Sequence, residues 1–292
     1  MRGILQHQAN RRNDMLLKTL ASLAVVGAAT ATGASAQQWE SSVDAGLFSA
    51  WRSSTDTTIT DSPFVGAYLG GYASTHIGSL KFAIDGRVEF LDDQGIDDVY
   101  RTGPVHAGVL GLHLGTQTGN TYYGGFVGAG LFDGYDSNSP MGGHIIGVEA
   151  EHYLAGGSSF YGQLGYARAI GSSGDNEFEG YSAKIGYLSQ ISDRLSLNMS
   201  LESAFSPNCF EDCGGDWGRY TAAGIEAAYS LNNRVDLVGA INYADIQANT
   251  EDSGSSANIY IGVRMPLGAK PTSALRTPMG AFNGAGWMAP LD

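Results

Sequence analysis

Residues Tyr181 to Phe205 read YSAKIGYLSQISDRLSLNMSLESAF, two alternating stretches joined by a short polar turn. In the second, Leu195, Leu197, Met199 and Leu201 alternate with Ser196, Asn198, Ser200 and Glu202. In the first, Tyr181, Ala183, Ile185 and Tyr187 alternate with Ser182, Lys184 and Gly186. A period of two places successive side chains on opposite faces of a β-strand, and no helix produces it. Each stretch therefore has one apolar and one polar face over about ten residues, the length a tilted strand needs to cross a bilayer.

The hairpin repeats along the chain. In LKFAIDGRVEF (80–90), Leu80, Phe82, Ile84, Val88 and Phe90 share one face, and Lys81, Asp85, Arg87 and Glu89 share the other. A soluble sandwich would turn its apolar face inward; charges of both signs confined to one face fit a barrel with a polar interior. Ile146, Val148 and Ala150 oppose Gly147, Glu149 and Glu151, and Thr221, Ala223, Ile225, Ala227 and Tyr229 form a later outer face. Val235, Leu237, Ile241 and Tyr243 alternate with Asp236, Asn242 and small residues, and Ala257 to Met265 closes the set. Phe64 to Ala73, Val105 to Leu114 and Thr121 to Phe132 are glycine-rich, and their facing is ambiguous. The count is about twelve antiparallel strands, or ten if the weak first pair stays outside the membrane. Short turns alternate with long acidic loops, which is the asymmetry of an up-and-down transmembrane barrel. Two aromatic girdles are expected, one of Phe90, Phe132, Phe205 and Tyr243 and one of Tyr122, Phe160, Tyr187 and Tyr229.

Three segments follow from this pattern. In 1–36, Arg2, Arg11, Arg12 and Lys18 precede an apolar run and Ala34-Ser35-Ala36, a small-residue cleavage site, so this segment reads as a secretory signal peptide. The run is shorter than the roughly 20 residues a membrane anchor needs. Residues 37–267 form the barrel. Pro266 ends its last strand, because proline cannot donate to a ladder. The tail 268–292 has no strand or helix period and reads as a flexible periplasmic segment; in a sharper reading Phe282, Trp287 and Met288 fold back as a lumen plug or meet a partner.

The formal net charge is −13 and becomes −16 once segment 1–36, with four basic residues and one acidic, is removed. That field repels phosphate, so no nucleic-acid partner is expected. An exported chain that stays in a membrane on strands must close them, since hydrocarbon tolerates no unpaired edge. The two cysteines, Cys209 and Cys213, are expected to pair as a disulfide in an oxidising compartment, stabilising by roughly 2 kcal/mol through so short a loop. A two-thiolate metal site would need further Cys or His ligands nearby, and none is present.

With LKFAIDGRVEF (80–90), RLSLNMSLESAF (194–205), RVDLVGAINYA (234–244), YYGGFVGAGLFDGYD (122–136) and ANIYIGVRMPL (257–267) in place, the chain resembles the porin-like outer-membrane β-barrel proteins of Gram-negative bacteria. The resemblance covers nearly the whole mature chain and is architectural. It implies residence in the cell outer membrane, contact with its lipid and lipopolysaccharide, and insertion by the outer-membrane assembly machinery. One departure stands out: such proteins typically end on an aromatic residue of the last strand, whereas here that strand ends at Met265-Pro266-Leu267 with a tail beyond.

Interior-facing candidates are Lys81, Asp85, Arg87, Glu89, Glu149, Glu151, Lys184, Glu202, Glu226, Asp236 and Arg264. They could line an aqueous pore for small solutes or ions, or could fill a narrow lumen as a salt-bridge network in a barrel that conducts nothing and acts structurally or in surface adhesion. Short residues on the inner faces, Ala83, Gly147, Ser182, Gly186, Ser196, Ser200, Ala240 and Gly262, argue for some open volume. The acidic loops around Asp92, Asp97, Asp136, Glu177 and Asp212 lack the ligand spacing of an EF-hand. A lipid hydrolase would place His106, His113, His144 or His152 beside a serine and an acid such as Glu149. Motifs for catalysis or cofactor binding are absent, so no enzyme and no cofactor is expected.

Overall fold

The computed structural model describes residues 39–54, 64–92, 105–133, 140–170, 176–207, 218–248 and 252–278. Within them the chain runs through β1 (Glu40–Ser54), β2 (Phe64–Ile77), β3 (Leu80–Asp92), β4 (Val105–Thr118), β5 (Thr121–Asp133), β6 (Pro140–Tyr153), β7 (Ser159–Ile170), β8 (Asn176–Ser192), β9 (Leu195–Ser206), β10 (Gly218–Asn232), β11 (Val235–Ala248) and β12 (Asp252–Pro266). The expected signal segment and the cysteine pair, with most of the acidic loop residues, lie outside the described residues.

Every strand is antiparallel to its chain neighbours, and β1 pairs with β12 to close a ring of twelve. Closure is what a bilayer demands, because each ladder N–H and C=O then has a protein partner. The ten-strand alternative is excluded, since β1 pairs with β12 over Ser42–Ser54 and with β2 over Glu40–Ala50. Two of the tight connections at the chain-terminus end turn on Gly78 (φ 63°) and Gly119 (φ 59°), a left-handed backbone that glycine adopts without steric cost.

Several strands run further than their alternation suggests: β8 starts at Asn176 instead of Tyr181 and β12 at Asp252 instead of Ala257. Asp252 to Ser256 contains no apolar residue yet pairs fully with β11. Beyond the hydrocarbon both faces meet water, so the ladder continues while the alternation that reveals it stops.

The outer surface is the apolar face of each strand. Leu47, Leu112, Val148, Leu164, Ile185, Leu201, Ile225, Ile241 and Ile261 are all exposed. The other face of the same strands points inward and is crowded. Phe48, Tyr68 and Tyr260 form one aromatic cluster, with Phe48 and Tyr260 stacked at 5.2 Å. Three of the short inner residues expected to leave open volume are filled instead. A Cβ on Gly262 would stand 2.3 Å from the Tyr68 hydroxyl, one on Gly186 would stand 2.3 Å from the Tyr161 ring, and one on Gly147 would stand 2.5 Å from the Phe126 ring. Each glycine is the socket for a ring reaching over from another strand, so small and large residues are complementary. Tyr122, assigned by sequence to an interfacial girdle, is one of these inward rings and is buried; Phe160, Tyr229, Phe205 and Tyr243 are exposed on the outer surface.

Candidate functional site in the barrel lumen

Chemistry in this molecule is concentrated on the inner wall of β3 to β7. Asp85, His113 and Glu149 come from β3, β4 and β6 and are all buried. The His113 Nε2 lies 2.6 Å from Asp85 Oδ1, and its Nδ1 lies 2.9 and 3.0 Å from the Glu149 oxygens. Carboxylates accept and do not donate, so an imidazole held between two of them satisfies both contacts only as the doubly protonated imidazolium. Glu149 also accepts from the Tyr122 hydroxyl at 3.0 Å and the Gln163 amide at 3.0 Å. Three groups therefore fix it.

His113 was among the histidines considered for hydrolysis, with Glu149 as a nearby acid, and the structure does bring the two together. Both nitrogens are occupied by carboxylates, so in this arrangement no lone pair remains to take a proton from a hydroxyl or to ligate a metal. His144 and His152 are exposed on the outside, and His152 hydrogen-bonds Thr121 at 2.8 Å. The side chain of His106 is outside the described residues. Sequence left the facing of this strand open; the signal that could have placed His113 inward is the alternation of Leu110, Leu112 and Leu114 with Gly111, His113 and Gly115.

Beside this cluster the chain's own C-terminal segment enters the barrel, which corrects the expectation of a flexible tail for residues 268–278. After β12 the backbone runs along β1, with Ala269 N–H donating to Trp39 at 3.0 Å and Ser41 N–H to Ala269 at 3.1 Å. Lys270 then approaches Asp236 Oδ2 at 2.9 Å, an ion pair short of hydrogen-bond geometry, while Ser230 donates to Oδ1 at 2.7 Å. The Thr272 hydroxyl reaches Glu40 at 3.1 Å. Ser273 Oγ and Ala274 N–H donate to Glu151 at 2.5 and 3.0 Å, and this carboxylate also accepts from Ser159 at 2.7 Å. Leu275 packs between Tyr122 and Tyr161, and the Arg276 guanidinium lies 3.9 Å from the centre of the Tyr72 ring. Thr277 donates its hydroxyl to Asp85 at 2.8 Å and its N–H to the same carboxylate at 3.2 Å. The physical reason is donor count: the β3–β7 wall presents three buried carboxylates, and the tail carries hydroxyls and free amides. Phe282, Trp287 and Met288, the residues of the sharper plug reading, lie outside the described residues; Ser273, Leu275, Thr277 and Pro278 are buried.

The predicted interior residues divide accordingly. Asp85, Glu149 and Glu151 are buried beneath or beside the tail, and Lys81 is buried near them with its ammonium 3.3 Å from the Tyr153 hydroxyl. Glu202 and Asp236 are buried as well, whereas Arg87, Glu89, Lys184, Glu226 and Arg264 keep part of their surface. Arg264 binds Glu226 through two nitrogens at 3.0 and 3.2 Å, with side-chain exposures of 21% and 32%. Arg87 pairs with Glu89 at 2.7 Å and lies over the Tyr68 ring at 4.1 Å, and Lys184 faces Glu202 at 3.9 Å.

No protein-family model and no curated protein sequence matches the chain. Solved structures do. An outer-membrane channel from Pseudomonas putida F1 superposes with a TM-score of 0.55 at 13% identity, over 79% of this chain and 96% of that one. A deletion mutant of the TodX monoaromatic hydrocarbon channel gives 0.44 at 11% identity, over 81% and 91%. The outer-membrane protein OmpT of Vibrio cholerae gives 0.43 at 13%, over 80% and 99%. At these identities the likeness is one of fold. With its closed antiparallel ring, apolar outer belt and polar interior, the chain has the fold of outer-membrane β-barrels.

Proposed function

We propose that the protein is a passive channel for small hydrophilic solutes or ions, with its conduit along the wall made by β8 to β12 and β1. The observation that carries this reading is the state of Glu226 and Arg264 on that wall and of Arg87, which reaches from β3 over the rings of Tyr68 and Tyr260. They point into the barrel with protein on every side, yet a fifth to a third of each side chain touches solvent, as groups lining an internal aqueous space do. The alternating pairs of opposite charge there would pass polar solutes more readily than apolar ones, because a dehydrated solute must replace lost water contacts with wall donors and acceptors. The deciding experiment is conductance of the refolded full-length protein in a planar bilayer, with ion preference taken from the reversal potential under a salt gradient. Discrete steps are expected. A demonstrably folded barrel that stays silent across the accessible voltage range sinks the channel reading and leaves a structural or adhesive barrel in its place.

A further inference from the structure

We propose that the inner wall of β2 to β7 is a binding site for the chain's own segment Lys270–Pro278, which acts as a tethered plug that sets how much of the lumen conducts. The proposal rests on the channel reading for its consequence, but the site itself rests on three independent complementarities. First, acceptors meet donors. Asp85 and Glu151, both buried, receive two hydrogen bonds each from the tail, and in each case one comes from a hydroxyl and one from a backbone N–H. Without the tail these carboxylates would face an empty lumen with fewer donors, an arrangement that is costly away from bulk water.

Second, shape is matched at glycine. A Cβ on Gly111 would lie 1.6 Å from Thr277 Oγ1, and one on Gly128 would lie 2.6 Å from Thr277 Cγ2. Adjacent strands β4 and β5 thus carry paired glycines, Gly111 opposite Gly128 in register, at the one place where Thr277 lies against the wall. Third, contacts alternate as they must for an extended peptide on a wall. Ser273, Leu275 and Thr277 are buried, Thr272, Ala274 and Arg276 are less so, and Pro278 is buried beyond them. The ligand class follows: an extended peptide presenting hydroxyls and amide N–H groups to carboxylates, one aliphatic side chain to a pair of tyrosines, and one guanidinium to an aromatic face.

The test keeps the whole chain and releases only the tail. Leu275→Asp with Thr277→Asp places two carboxylates among Asp85, Glu149 and Glu151, so like charge should expel the segment while every barrel residue is unchanged. Single-channel conductance should rise at least twofold over the unmodified protein. A free peptide of residues 270–278 with the native sequence, added from the short-turn side, should return it to the original level. Gly111→Val should open the channel equally but leave it insensitive to the peptide, because the socket is filled. Equal conductance of the released and unmodified proteins overturns the plug. Anisotropy of the labelled peptide on the released protein in detergent separates the two readings: binding without conduction overturns the channel and supports the site, and conduction without binding overturns the site.

Discussion

The two oxygens of Glu149 lie 2.9 and 3.0 Å from Nδ1 of His113, and the strand between them contributes Tyr122 to the same carboxylate. This link spans β4 to β6 inside the barrel, where side chains converge. Breaking one partner of such a buried pair strands the other without compensation, at about 3–5 kcal/mol. Glu149→Gln should therefore lower unfolding stability in lipid vesicles by that order, as read from a urea titration. His113→Leu should do likewise, and the double variant should cost clearly less than the sum of the two. Strict additivity would mean that the pair is not coupled.

The glycine sockets make a second expectation. Gly186→Ala drives a methyl into the Tyr161 ring and also within 2.7 Å of the Met199 carbonyl. Overpacking of this kind costs about 1–3 kcal/mol. In a Tyr161→Leu background the added cost of Gly186→Ala should shrink, because the ring is gone, with a residue remaining from the backbone contact. An undiminished cost would place the whole clash on the backbone.

Ion preference should depend on which inward carboxylate is removed. Glu226 is about a third exposed, whereas Glu151 is fully buried under Ser273 and Ala274. A unit charge about 10 Å from a permeating ion in water is worth about 0.4 kcal/mol, a factor of about two. Glu226→Gln should shift the cation-to-anion permeability ratio down about fourfold in reversal-potential measurements, because the anion gains what the cation loses. Glu151→Gln should leave the ratio nearly unchanged in the plugged protein. The reverse ranking would relocate the conduit to the β3–β7 wall.

The outer belt gives the sharpest test of the membrane span. Ile241 is exposed on the outward face of β11, four residues beyond Leu237 on the same face. Arginine at the bilayer midplane of a barrel costs about 2–4 kcal/mol. Ile241→Arg should lose that much in vesicle unfolding and far less in detergent micelles, which adapt around the charge. Equal losses in both would argue that this position does not meet hydrocarbon.

The alternation in Tyr181–Phe205 and Leu80–Phe90 was enough to assign a closed barrel of ten or twelve strands and the facing of most of them, because the contrast between lipid outside and polar lumen inside is written into every second residue. It failed in two recognisable ways. Where strands leave the membrane, as at Asp252–Ser256, both faces are wet and the signal vanishes although the ladder continues. Where both faces were glycine-rich, as in Thr121–Phe132, the inward turn of Tyr122 and Phe126 depended on sockets at Gly115, Gly124 and Gly147 that only pairing register reveals.

By itself, then, the sequence determined a closed antiparallel barrel, its outer belt and the identity of its interior charges, since period two is a local property of a strand between two solvents. Only the tertiary structure decided what fills the barrel. Thr277 meets Asp85, 192 residues away, and Lys270–Pro278 has no local pattern that announces it, because its fit is to carboxylates, rings and glycines supplied by strands far apart in the chain. Complementarity between distant segments is set by where the closed ring brings them, and no window of sequence contains both sides of the contact.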